Sequence, residues 1–230
     1  MAHLKGKIID LSEMRDKQRV FAGRPQAGLV LADMLKAYQN SSALVMAVPA
    51  GGVPVALGMG QTLNIAVSVA VVSKITLPWN TEVGYGAVAF DGTVRLNDSL
   101  VSRLGLTDEQ IQEGIKHTSE KVQRRVGRFS QALPFPDIKD KTVFLTDDGL
   151  ASGFTMLTAV EAMKKAGVGS LNIAGPTAHM ESLQRVSPQV DAIYCANVRS
   201  GFFFAVADAY KKWYDIGEEE LFEMMGKRDR

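Results

Sequence analysis

The amino-acid sequence predicts an α/β protein: an open parallel sheet flanked by helices, with a β-hairpin insertion. Three observations carry the prediction. Residues 37–73 hold no Asp, Glu, Lys, Arg or His across 37 positions, and this block contains two apolar runs separated by glycines and a helix-length segment, the order of a βαβ unit. Further along, strand-length apolar runs at 143–146, 171–174 and 192–195 alternate with helical stretches, which extends the same parallel pattern. Between the two halves, residues 87–96 read as a hairpin, because Asp91-Gly92 supplies the positive φ angles of a type I′ turn.

Residues 24–38 form a helix with Ala27, Leu31, Met34 and Leu35 along one side. Residues 44–48 are a buried strand that stops at Pro-Ala-Gly-Gly. A helix over 53–61 starts past those glycines, with Pro54 in its first turn, where a missing N–H does no harm. The β-branched run 65–73 is the second strand, and residues 75–86 are irregular. Thr107 and Gln110 make a capping box for a charged, solvated helix running to about Gln131, ended by Pro134 and Pro136. After the strand at 143–146 come a helix over 153–166 and the strands at 171–174 and 192–195. Short helices near 205–213 and 218–225 finish the chain. The whole of 1–230 is expected as a single domain, with a core of about 24–74 and 141–200 and an insertion of about 75–140.

With 230 residues, 46% hydrophobic and 22% charged, the composition excludes a disordered or fibrous chain. A net charge of +1 argues against a protein built to coat nucleic acid or an anionic membrane. The uncharged block invites a membrane span of about 20 residues, but Pro49, Gly51, Gly52, Pro54, Gly58 and Gly60 interrupt it. The single Cys195 excludes an internal disulfide and a thiolate metal site, and the thiol is expected to be a buried apolar group. The charged N-terminal segment lacks a signal-peptide core, so a cytoplasmic location is expected.

The chemistry concentrates in residues 143–155. An apolar strand delivers Asp147 and Asp148 to its C-terminal end, and small residues from Gly149 to Gly153 lead into a helix. Ligands of open α/β sheets bind outside the strand C-termini. Small residues let backbone N–H groups close on a phosphate at the helix N-terminus, and Ser152 and Thr155 can add hydroxyls. Two carboxylates would repel that phosphate, so they suit a sugar diol or a magnesium ion.

An acidic pair followed by a small-residue loop ending Gly-x-Thr resembles the signature of type I phosphoribosyltransferases. Val48–Ala56, reading VPAGGVPVA, is similar to that family's diphosphate-binding loop, and Lys74 stands where the family often places a basic residue. Residues 21–35 and 86–97 resemble a subgroup of uncharacterised members. The resemblance implies a type I phosphoribosyltransferase-like sheet and transfer of the phosphoribosyl group of 5-phosphoribosyl-1-diphosphate (PRPP) to a nitrogenous acceptor, with release of diphosphate. It implies ribose hydroxyls on Asp147 and Asp148, and the 5-phosphate on Ala151, Ser152, Gly153, Phe154 and Thr155. The diphosphate would lie against Ala50, Gly51 and Gly52, with Lys74 near it. It implies Mg2+ carried mainly by PRPP with no direct metal ligand, a cover over residues 75–97, and a homo-oligomer, expected as a dimer. Partners are then small molecules, PRPP and a base or nucleotide.

Two positions depart from the family pattern. Ser152 replaces a more usual threonine, and Ala50 stands where a basic residue is common, with Arg24, Lys74 and Arg95 as candidate replacements. Ala50 also favours the alternative of a PRPP- or nucleotide-binding regulatory protein without transfer activity. A nucleotide phosphatase or kinase-like enzyme is a third reading, against which stands the lack of a G-x-x-x-x-G-K-[ST] loop. Phe202, Phe203 and Phe204 could stack on a base or anchor a terminal helix. Glu82 and Tyr85 could touch substrate. His3, His117 and His179 show no ligand spacing, and Arg124, Arg125 and Arg128 read as a solvated helix face.

Overall fold

The structure is a computed structural model that describes residues 7–132 and 135–226. His3 and Pro134 lie outside the described residues, as does the side chain of Glu82. Six parallel strands form the main sheet: β1 (Lys7–Asp10), β2 (Leu44–Ala47), β3 (Ala66–Val69), β7 (Thr142–Thr146), β8 (Ser170–His179) and β9 (Ala192–Arg199), in the order β1-β9-β8-β7-β2-β3. A separate antiparallel sheet holds β4 (Val72–Leu77), β5 (Asn80–Ala89) and β6 (Val94–Leu96). The helices are α1 (Arg24–Met34), α2 (Gly52–Leu63), α3 (Asp98–Leu104), α4 (Asp108–Ala132), α5 (Phe154–Lys165), α6 (Met180–Val186) and α7 (Glu218–Gly226). The expected α/β class, with a flanked parallel sheet and a hairpin insertion, is what the chain forms.

Both faces of the main sheet are covered, which is why its strands read as continuous apolar runs. Val45, Ala47 and Phe144 pack with α1 and α2 on one face. Met46, Leu145 and Ile173 pack with Met156, Val160 and Met163 of α5 on the other. Among the described residues no helix is long and apolar enough to cross a membrane.

Several local expectations are corrected. The run 65–73 is not one strand: β3 ends at Val69, and after Ala70 and Val71 the chain enters the second sheet as β4. Lys74 therefore lies inside β4 and not at the end of a core strand. Residues 75–86 are not irregular, since β4 continues to Leu77 and β5 begins at Asn80, with bulges near Ile75 and Thr76 breaking the alternation. The hairpin turn is not type I′. Ala89 C=O accepts from Gly92 N–H at 2.9 Å, Ala89 N–H donates to Thr93 C=O at 2.8 Å, and Gly92 alone of the Asp-Gly pair takes positive φ, 85°. That is a three-residue loop with a left-handed glycine. The Asp91 carboxylate holds it by accepting from Thr93 N–H at 2.9 Å and Thr93 Oγ1 at 2.8 Å. Near 205–213 there is only a one-turn 3-10 helix, Val206–Ala209.

Candidate functional site

Two loops meet at the C-terminal ends of neighbouring strands β2 and β7, where Ala47 pairs with Thr146. The first carries Pro49-Ala50, joined by a cis peptide bond, then Gly51 and Gly52. The second carries Asp147 and Asp148. Contact between them explains the glycines. A Cβ at Gly51 would fall 1.9 Å from Asp148 Oδ2, and one at Gly52 2.6 Å from the Thr146 carbonyl oxygen. Asp148 N–H donates to Asp147 Oδ1 at 2.8 Å, and Arg24 Nε donates to Asp148 Oδ2 at 2.8 Å. Burial pushes both carboxyls up, Asp147 the further because it also faces Asp148, while Arg24 and Lys74 oppose the rise.

The loop from Gly149 to Gly153 is seated on the extended end of β8. Leu150 N–H donates to Thr177 C=O at 3.0 Å, His179 N–H donates to Leu150 C=O at 3.0 Å, and Ser182 Oγ donates to the same carbonyl at 2.8 Å. Gly153 takes a left-handed φ of 77° and turns the chain into α5, a conformation glycine adopts freely. Arg185 donates to the Ser152 carbonyl and reaches over the Phe154 ring.

A cavity of about 220 Å3 lies against this turn, lined by Lys74, Asp147, Asp148, Ala151, Ser152, Gly153 and Thr155. The two sheets thus bring together the acid pair, the small-residue loop and Lys74. Ala50, Gly51 and Gly52 are not on its wall; Gly51 sits behind the Asp148 carboxylate. The Phe154 side chain lies instead in a groove beside Arg95 and Glu161. Gly149, Leu150, Met156, Val206 and Trp213 complete the cavity wall, and nothing in the sequence spacing of Met156, Val206 or Trp213 marks them.

Of the three candidate cations, Arg95 pairs with Glu161 at 3.3 Å on the surface, Lys74 lines the cavity, and Arg24 is buried off its wall and bonded to Asp148. Phe202 and Phe203 are 93% and 85% exposed, which removes the helix-anchor reading for both. Tyr85 is buried, its hydroxyl packed against Gly114, so it does not face the cleft. Arg125 and Arg128 are not simply a solvated face, because they pair with Glu218 and Glu219 of α7. Cys195 is buried, and burial pushes its thiol well up. Among the described residues no cluster of three His, Cys, Asp or Glu side chains could hold a metal ion. An oxygen of each acid is already engaged, Asp147 Oδ1 by the Asp148 N–H and Asp148 Oδ2 by Arg24.

Comparison with known proteins identifies the family. The phosphoribosyl transferase domain family matches residues 90–211, just over half of the chain. Two strains of Mycobacterium tuberculosis, CDC 1551 and H37Rv, each have a protein provisionally named a phosphoribosyl transferase. It is 26% identical over 212 residues, covering 92% of this chain and 48% of the relative. The chain thus spans about half the length of the curated relatives it matches. A crystal structure of a Thermus thermophilus protein superposes with a TM-score of 0.72 at 25% identity, over 90% of this chain and 98% of that one. The chain belongs to the phosphoribosyl transferase family.

Proposed function

We propose that the chain is a pentosyltransferase that transfers the phosphoribosyl group of PRPP to a nitrogenous acceptor and releases diphosphate. The observation that carries this reading is the junction of Asp147-Asp148 with the small-residue loop opening α5 on a single cavity that Lys74 also lines. The backbone N–H groups of Ala151, Ser152, Gly153, Phe154 and Thr155 take the 5-phosphate, helped by the dipole of α5. Asp147 and Asp148 take the ribose hydroxyls. Lys74 serves the diphosphate side, where positive charge stabilises the leaving group as it departs, while the turn of Ala50, Gly51 and Gly52 backs the Asp148 carboxylate. A magnesium ion carried by the substrate's own oxygens would add to that neutralisation beside Lys74. The chain's own work is to hold the anomeric carbon between leaving group and acceptor and to keep water away.

Calorimetry with magnesium-PRPP, followed by diphosphate release across a panel of bases, tests the reading. Asp148→Asn should weaken PRPP binding or turnover about tenfold or more, the scale of one charged hydrogen bond. Unchanged affinity and kinetics in that variant would refute it. PRPP binding with no diphosphate release on any base would point to the non-transferring regulatory protein.

A further inference from the structure

Arg24 is placed where no local rule would put it. It opens α1 directly after Gly23, with Pro25 next, and a cation at a helix N-terminus opposes the helix dipole. Its long side chain is nonetheless buried, 7% exposed, at a cost in desolvation that a buried charge repays only through good partners. Three partners converge on it. Arg24 Nε donates to Asp148 Oδ2 at 2.8 Å, an Nη donates to the Tyr214 carbonyl at 2.8 Å, and the guanidinium carbon lies 3.8 Å from the centroid of Trp213.

The supports on either side are rigid. Helices α1 and α2 approach so closely that a Cβ at Gly28 would fall 2.3 Å from the Val55 carbonyl oxygen, and one at Gly58 2.7 Å from that of Pro25. The segment that Arg24 grips, residues 210–214, is tied down as well. Tyr210 donates its hydroxyl to the Asp148 carbonyl at 2.5 Å, Lys211 N–H donates to Phe21 C=O at 2.8 Å, and the Tyr210 and Trp213 rings are 5.3 Å apart. Trp213 in turn forms part of the cavity wall.

We propose that Arg24 is a positioning residue: one guanidinium aims the Asp148 carboxylate and fixes the Trp213 wall, so that the charge and the shape of the cleft are set together from α1. The proposal rests on the phosphoribosyl reading of the cleft. The charged and titratable groups facing Asp148 are Asp147 from the same turn, Lys74 from β4, Tyr210 from the C-terminal segment and Arg24 from α1. Without Arg24, burial and Asp147 favour the protonated Asp148, which is a poorer acceptor for a hydroxyl.

The test uses Arg24→Gln and Arg24→Lys in the full chain, each in a Trp79→Phe background that leaves Trp213 as the sole tryptophan. Magnesium-PRPP calorimetry across a pH series should show Arg24→Gln binding about tenfold more weakly where Asp148 is protonated and regaining most of that loss as pH rises through the Asp148 titration. In the unliganded protein, carbon-13 NMR should show Asp148 titrating at higher pH than in the parent, and Trp213 emission should move to the red. Arg24→Lys should be displaced less in pH profile but show the same red shift, because an ammonium cannot span three partners as the planar fork does. An affinity loss equal at every pH, or an Asp148 titration unmoved in Arg24→Gln, overturns the proposal. If Arg24→Gln does not fold, Arg24→Lys decides: parental emission and profile overturn the proposal, a red shift with a displaced profile supports it. Failure of the parent to bind PRPP would sink the phosphoribosyl reading alone, while the unliganded titration and emission still judge Arg24.

Discussion

Replacing Gly52 by alanine measures how tightly the two loops of the cleft are locked together. Gly52 opens α2, and in a helix alanine is intrinsically better than glycine by up to about 1 kcal/mol. Against that gain, the new Cβ would sit 2.6 Å from the Thr146 carbonyl oxygen and 3.0 Å from Asp147 Cα. Both are backbone atoms at the end of a strand paired on both sides, so neither can rotate away. Overpacking of this kind costs about 1–3 kcal/mol, towards the upper end when backbone must shift. The clash outweighs the propensity, for a net loss of about 2 kcal/mol. For a chain of this size that lowers the melting temperature by about 4–8 °C. Gly127, inside α4, is the matched control, because nothing lies within 4 Å of a Cβ there. Gly127→Ala keeps only the propensity gain and should raise the melting temperature by about 2–4 °C. Differential scanning calorimetry on both variants reads the contrast. A Gly52→Ala protein that melts at or above wild type would refute the packing argument.

Three further outcomes are expected. Asp147 is held well above the usual carboxylate range by burial and then by Asp148; an acid raised in the folded state costs stability as pH climbs past its unfolded value of about 3.9. Asp147→Asn should therefore raise the melting temperature near neutral pH, and a pH series should show the gain fading as pH falls towards about 4. Tyr210→Phe removes the hydroxyl that satisfies the Asp148 carbonyl and should cost about 1–2 kcal/mol in chemical denaturation. Phe202→Ser with Phe203→Ser should leave denaturation within about 0.5 kcal/mol of wild type, since both rings are solvent-exposed; a larger loss would show that they pack in solution.

What could be read from the sequence follows the range of the interactions. The acid pair and the loop at 149–153 sit in one segment whose strand, turn and helix are each local, so they are visible together. Arg24 could be named as a candidate cation, but its bond to Asp148 spans 124 positions and comes only from the docking of α1 on α2. Trp213 and Val206 carry no periodic signal because their segment is almost irregular. The split between β3 and β4 is hidden for another reason. Ala70 and Val71 are as apolar as their neighbours, because both sheets bury the run, so hydrophobicity cannot mark where the chain changes sheets. Strand β1 leaves no apolar-run signal because it is four residues long with charges at both ends. Strand β8 is longer than expected because its register passes straight over Pro176, with Gly175 opposite Cys195 and Thr177 opposite Asn197.

The early departure of the chain from the main sheet has a consequence for how the cleft is tuned. Asp147 and Asp148 ride on the large sheet, whereas Lys74 rides on the small one. Val72, Ala87 and Ala89 of the small sheet pack into the same apolar cluster as Leu145 and Met156. That apolar seam therefore helps set the separation of the lysine from the acids. Trimming a methyl group at Val72 or Ala89 would change the electrostatics of the cleft without touching a charged residue.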